Sequence, residues 1–231
     1  MTRIKLIMLS LLAVFAVGAV ASAAASAAAP EFKPVPVKNK FTDKEGVSHL
    51  NGPLKITVTC KADTSTGEIA GPKIVSKVGV IFTKCTATQV IKNKEGKEEI
   101  VECKAHSPKK EPETIETNTL KGTLGFVTKS PEVVGLSLGP EGKEGFVTIE
   151  AECLTVKTTQ VSGSVIGEVK PLKVKQLTGK LEFMCNPAGS TKQTIQNLEG
   201  VAKDTLSAFG SAACFESEPD TITFEEAIEV T

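Results

Sequence analysis

From Leu54 to the end of the chain, apolar and polar residues alternate with a period of two, and this limits the fold more than any other feature of the sequence. Successive side chains of a strand point to opposite faces, so runs of Val, Ile, Thr and Phe at this spacing predict half-buried strands. Ile56, Val58 and Cys60 alternate with threonine. Ile74, Val78, Val80 and Phe82 are read on one face of a long strand, with Val75, Ile81 and Cys85 on the other. Val147, Ile149, Ala151 and Cys153 repeat the pattern, as do Leu181, Phe183 and Cys185. Polar clusters at residues 63–67, 93–97, 139–142 and 186–189 predict turns between the runs. Ile222, Phe224, Ile228 and Val230 read as a closing strand with a bulge near residues 225–227. Residues 198–209 alone offer a helical face, and Gly200 and Thr205 weaken it. The expected class is all-β.

Glycine sharpens the shape. It interrupts three apolar faces, at Gly122, at Gly163 and Gly167, and at Gly179. Glycine inside a strand costs stability, and strong bending or close backbone approach gives it a reason to be there. An antiparallel barrel or a strongly coiled sandwich is expected, with 54–231 as a single β domain. A faint internal repeat suggests duplicated halves at 54–127 and 147–231, because Ile-Thr-Val-Thr-Cys60 resembles Ile-Glu-Ala-Glu-Cys153.

The first residues carry an address. Arg3 and Lys5 precede an apolar run from Leu6 to Val20, and small residues follow at Ala21-Ser22-Ala23 and Ala25-Ser26-Ala27. This is the layout of a secretory signal peptide over residues 1–23, with cleavage as late as 27. The apolar run falls short of the ~20 residues of a spanning helix. Residues 24–53, with Pro30, Pro34 and Pro36, read as a linker and N-terminal extension. The expected location is secreted or extracytoplasmic, with no membrane span.

Export gives the six cysteines their meaning, since an even count in an oxidising compartment reads as disulfides. None has the spacing of a zinc site, so no metal or other cofactor is expected. Six cysteines can pair in many ways, and the sequence alone does not choose among them. A hairpin turning at residues 93–97 favours Cys85–Cys103. The repeat makes Cys185–Cys214 its counterpart, and Cys60–Cys153 then follows by elimination.

Composition removes several function classes. Twenty-seven basic residues balance 27 acidic ones, which leaves no basic face for nucleic acid. Phe is the only aromatic residue, so indole and phenol platforms for sugars are absent. Gly135-Leu136-Ser137-Leu138-Gly139 spells a nucleophile elbow, but a strand rather than a helix is expected to follow, and the only bases on offer are His49 and His106. His49 reads as part of a polar segment before the first strand and His106 as part of a solvated loop. Asp43, Asp63, Asp204 and Asp220 could orient a histidine in a triad only on paper. No catalytic residue is expected.

Cys60, Gly67-Glu68-Ile69, Phe82-Thr-Lys-Cys85 and the stretch from Thr117 through Gly125 together resemble a group of exported actinobacterial proteins without assigned function. The resemblance implies export and a β domain and carries over no site residue. The leading expectation is an exported, non-enzymatic protein with a structural or surface-contact role. The alternative is a carrier that holds a small apolar ligand in a barrel lumen. Its partner would be a protein in the first case and that ligand in the second.

Overall fold

The computed structural model describes residues 29–34, 38–44 and 46–231. The signal peptide expected over 1–23, with its cleavage site, lies outside them. Among the described residues there is no helix. The strands are β1 (Phe32–Lys33), β2 (Asn39–Lys44), β3 (Ser48–Gly52), β4 (Ile56–Cys60), β5 (Ala62–Ile69), β6 (Ile74–Thr83), β7 (Thr86–Lys92), β8 (Glu98–Lys104), β9 (Thr114–Glu116), β10 (Leu120–Lys129) and β11 (Glu132–Pro140). They continue with β12 (Val147–Glu150), β13 (Thr158–Val161), β14 (Val165–Lys170), β15 (Gln176–Glu182), β16 (Asn197–Leu198), β17 (Ala202–Lys203), β18 (Ser207–Ala208), β19 (Ser211–Ala212), β20 (Cys214–Ser217) and β21 (Asp220–Val230).

Eight strands close an antiparallel barrel in the order β2-β5-β6-β10-β11-β14-β15-β21, and β21 pairs back onto β2. Spatial order equals chain order, so the barrel is an up-and-down meander. In a meander, alternate connections share an end. The connections β2→β5, β6→β10, β11→β14 and β15→β21 all lie at one end, and every one carries extra strands. At the other end the connections β5→β6, β10→β11 and β14→β15 are short. The four excursions together make a cap. Its main part is a five-stranded sheet, β20-β3-β4-β7-β8, with β12-β13 and the β18-β19 hairpin beside it, while the β16-β17 hairpin packs on the outer face of the barrel over Gly125 and Gly135.

The seam between β2 and β21 is set by named side chains. Phe41 lies opposite Phe224, and the rings meet edge to face at 6.1 Å between centroids. The expected bulge of β21 is present, because its register with β15 shifts between Thr223 and Ile228. Asn39 bridges that irregularity. Its Nδ2 donates to the Glu226 carbonyl at 2.8 Å, and its Oδ1 accepts from the Glu226 N–H at 3.0 Å. A buried amide thus replaces a pair of ladder hydrogen bonds.

Several expectations change against this framework. Residues 24–53 are not simply linker and extension: β1, β2 and β3 all fall there, and β2 closes the barrel. The cluster at 63–67 is no turn but the body of β5, whose Thr and Ser suit a strand. Ile74 is exposed and Val75 buried, with Val78 buried further along. The positive φ of Lys77 (53°) marks where β6 changes face, so strict alternation fails there. His49 lies within β3. Gly122 does face the interior, where an added Cβ would meet Val75 and Leu138 at 2.8 Å. Gly163 is not in a strand; it turns the chain between β13 and β14 at φ 96°, packed on the Thr205 carbonyl. Residues 198–209 form short hairpins. The meander divides evenly between β10 and β11, so the halves 54–127 and 147–231 leave out β2 and β11.

All six cysteines are bridged, and two of the three expected pairs are replaced. The bridges are Cys60–Cys85, Cys103–Cys153 and Cys185–Cys214. The hairpin β7–β8 forms as expected, but its register sets Cys103 opposite Ala87, and Cys85 opposite Ala105. Cys85 and Cys103 are therefore diagonal neighbours, ~7–8 Å apart and too far to bridge. The β4–β7 ladder pairs Thr59 with Thr86, and its next step sets Cys60 opposite Cys85. Cys103 then reaches Cys153 with Cα atoms 5.7 Å apart. The first two bridges link successive excursions, and the third lies within the last one.

Two outcomes follow from this arrangement. Peptide mapping without reduction should recover these three pairs, and replacing Cys103 and Cys153 together by serine should cost about 4 kcal/mol in the loop-entropy model. Asn39→Ala should cost ~1–3 kcal/mol in denaturant unfolding, because two hydrogen bonds to the Glu226 backbone, each worth ~0.5–1.5 kcal/mol, are lost. A cost no larger than that of a surface substitution would mean that the seam does not depend on Asn39.

Candidate ligand-binding site

The inward faces of the barrel strands meet the underside of the cap around a cavity of about 140 Å³. Period two explains its walls. Val78 and Val80 come from β6, Leu136 and Leu138 from β11, Val165 from β14 and Leu181 from β15. Each excursion adds to the ceiling: Leu50 and Val58 from the first, Ile115 from the second, Phe146, Val147 and Val161 from the third, Leu206 and Phe215 from the last. A smaller space of about 50 Å³ lies towards the opposite end and shares Phe41, Val75 and Leu136 with the first. Phe41 extends over Gly67, its direct partner on β5, where a side chain would collide with the ring. An apolar cavity of about 150 Å³ stays dry and accepts benzene, so the lumen is of a size to hold a small apolar molecule.

The polar groups lining the larger cavity cluster where β2 and β5 run into the cap. Asp63 and Ser65 stand two apart on β5 and share its inner face. Asp43 on β2 lies directly opposite Ser65, whose Oγ donates to Asp43 Oδ2 at 2.9 Å. Asp43 Oδ1 is buried and has no hydrogen-bond partner. Asp63 is only 4% exposed. Burial, reinforced by the charge of Asp43, pushes Asp63 up to about 7. Burial also raises Asp43, against the lowering effect of its bond from Ser65. Apart from the lumen, Asp204 is pushed up to about 6 by burial, opposed by the N–H groups of Leu206 and Ile166.

The residues singled out for chemistry do not converge. Ser137 lies in the middle of β11, between Thr123 of β10 and Ile166 of β14, and no helix follows it. Its neighbours Leu136 and Leu138 line the cavity. His49 Nδ1 lies 3.0 Å from Thr59 Oγ1. His106 is half-buried rather than fully solvated, and its backbone bridges to Glu150. Asp43 and Asp63 were legible only as acids for orienting a histidine. The better signal was parity, because Asp63 falls in phase with Ser65, Gly67 and the buried Ile69. Among the described residues no cluster of His, Cys, Asp and Glu is suited to a metal ion, and no helix is long and apolar enough to cross a membrane.

No family model matches the chain, and neither a curated protein nor a solved structure is similar to it.

The raised acids give a signed pH dependence. An Asp whose folded pKa lies above its unfolded value adds stability below the unfolded pKa, near 4, and that contribution is lost as pH rises through the folded value. For Asp63 the loss spans about pH 4 to 7, and for Asp204 about pH 4 to 6. Asp63→Asn should therefore melt higher than the parent at about pH 8 and show little gain near about pH 4. An equal gain at both values would contradict a buried, proton-binding Asp63.

Proposed function

We propose that the protein is an exported carrier that encloses a small apolar molecule in its barrel lumen. The observation behind this reading is the cavity of about 140 Å³, walled by aliphatic and phenylalanine side chains, in a barrel closed by hydrogen bonds all round. Interiors are normally packed to crystal density, so an apolar space of this size is either a cost without return or a place for a ligand. Export is supported by the leader pattern in the sequence and by three disulfides, which persist in oxidising compartments. A non-enzymatic role is supported by Ser137 lying mid-strand, away from any elbow. The surface-contact reading has less support. The edge strand β8 carries Glu98, Glu99, Glu102 and Lys104, charges that discourage strand addition by a partner.

Toluene tests the proposal, with binding followed by calorimetry and by NMR shifts of the valine and leucine methyls. One molecule should bind saturably per chain. Val78→Phe projects a ring into the cavity and should weaken binding by about tenfold or more while leaving the fold intact. Absence of saturable binding, or binding indifferent to Val78→Phe, would remove the carrier reading.

A further inference from the structure

We infer that the ligand carries a protonated primary amine, held between Asp43 and Asp63, with its apolar body in the lumen. This rests on the carrier reading and adds the chemistry of the headgroup.

The site combines two things that rarely meet, an apolar enclosure and unsatisfied carboxyl oxygens. The β2–β5 register brings both acids to one inner surface, with Asp43 opposite Ser65 and so diagonal to Asp63. The diagonal separation is ~7–8 Å between backbones, which lets two carboxyl groups converge on one small cation. Ser65 satisfies only one oxygen of Asp43, and the other is sealed from solvent without a donor. Asp63 lines the cavity at 4% exposure, and no described donor reaches its carboxyl. Burying a carboxylate without a partner is costly, and a cavity wall does not need one.

The chemistry selects the missing partner. It must donate once the pair has lost its proton, because both carboxylates then only accept. It should be positive, because the two carboxylates repel each other and no Lys, Arg or His lines the cavity. An ammonium meets both needs, with three donors and a full charge on one atom. A hydroxyl brings one donor and no charge, and a carboxylate ligand would be repelled. A hard metal ion asks for six or more oxygens, which two acids and a few hydroxyls do not offer. The rest of the wall accepts only an apolar body.

Asp63 faces Asp43 from β2, Phe82 from β6, and Ser48 and Phe215 from the cap, so the acid pair is the only titrating group that its ligand meets among the described residues. Amine affinity should therefore rise as the pair loses its proton, while the affinity of a neutral ligand stays flat.

Toluene, benzyl alcohol and benzylamine share one body and differ in headgroup, and their binding to the full mature chain separates the readings. At about pH 8, benzylamine should bind about tenfold or more tighter than toluene, and benzyl alcohol close to toluene. The benzylamine advantage should shrink towards about pH 5, with toluene unchanged. In Asp63→Asn, benzylamine should fall to the affinity of toluene. If toluene binds but benzylamine binds no tighter, or keeps its advantage at about pH 5 or in Asp63→Asn, the amine inference is overturned and the carrier reading stands. If none of the three binds, both fall. Should Asp63→Asn fail to fold, the pH profile of the parent protein still decides the matter.

Discussion

Closure of the barrel at the β2–β21 seam is the constraint on which the rest of the structure depends. An open eight-stranded sheet of this composition would expose two edges and an apolar face. Pairing Phe41 with Phe224 and threading Asn39 onto the Glu226 backbone removes both edges and encloses the face. The two strands come from opposite ends of the domain, so their pairing closes the whole meander between them. Its irregular part, the bulge of β21, falls where a side-chain amide takes over from the backbone ladder. The seam also fixes the acid pair, because β2 carries both Phe41 and Asp43.

The cap follows from the meander. Every second connection is long and every other one is short, which puts the long connections at one end. That end holds all three disulfides, two of which tie neighbouring excursions together. Short excursions have little core of their own. Most of their apolar residues join the barrel core, in a cluster that runs from Phe32 and Val230 at one end to Ala213 and Leu206 in the cap, while Ile195 and Leu198 form a separate cluster with Ile166 and Val127. The bridges hold the cap to itself, and the shared apolar surface holds it to the barrel.

The lumen is the exception to tight packing. Phe41 over Gly67 fills space on the inner side of the β2–β5 pair, and a small residue opposite a large one makes that fit possible. Towards the cap the ceiling is contributed by four separate excursions. No single strand can adjust to fill such a gap. The polar cluster lies at this junction, where β2 and β5 leave the barrel for the cap, and it gives the enclosed space a direction: an apolar body with a polar end.

What the sequence determined by itself was the class and the faces. Period two in Val, Ile, Thr and Phe is a local property of strands, so the all-β class, the β7–β8 hairpin, the buried face of β10 and the bulged closing strand could be read without contacts. The Cys185–Cys214 bridge was also named, but as the counterpart of Cys85–Cys103, a bridge that does not form. Tertiary structure decided whatever depended on register between distant strands. Cys60 meets Cys85 because β4 pairs with β7, and an offset of two residues in the β7–β8 hairpin carries Cys103 out of reach of Cys85. The segment taken for a linker became the closing strand because β21 supplied a partner some 180 residues away. Asp63 looked like a turn residue because local composition marks polar clusters as loops. Only the closed barrel turns its carboxyl inward, where burial and the nearby Asp43 give it a chemistry that no local pattern could encode.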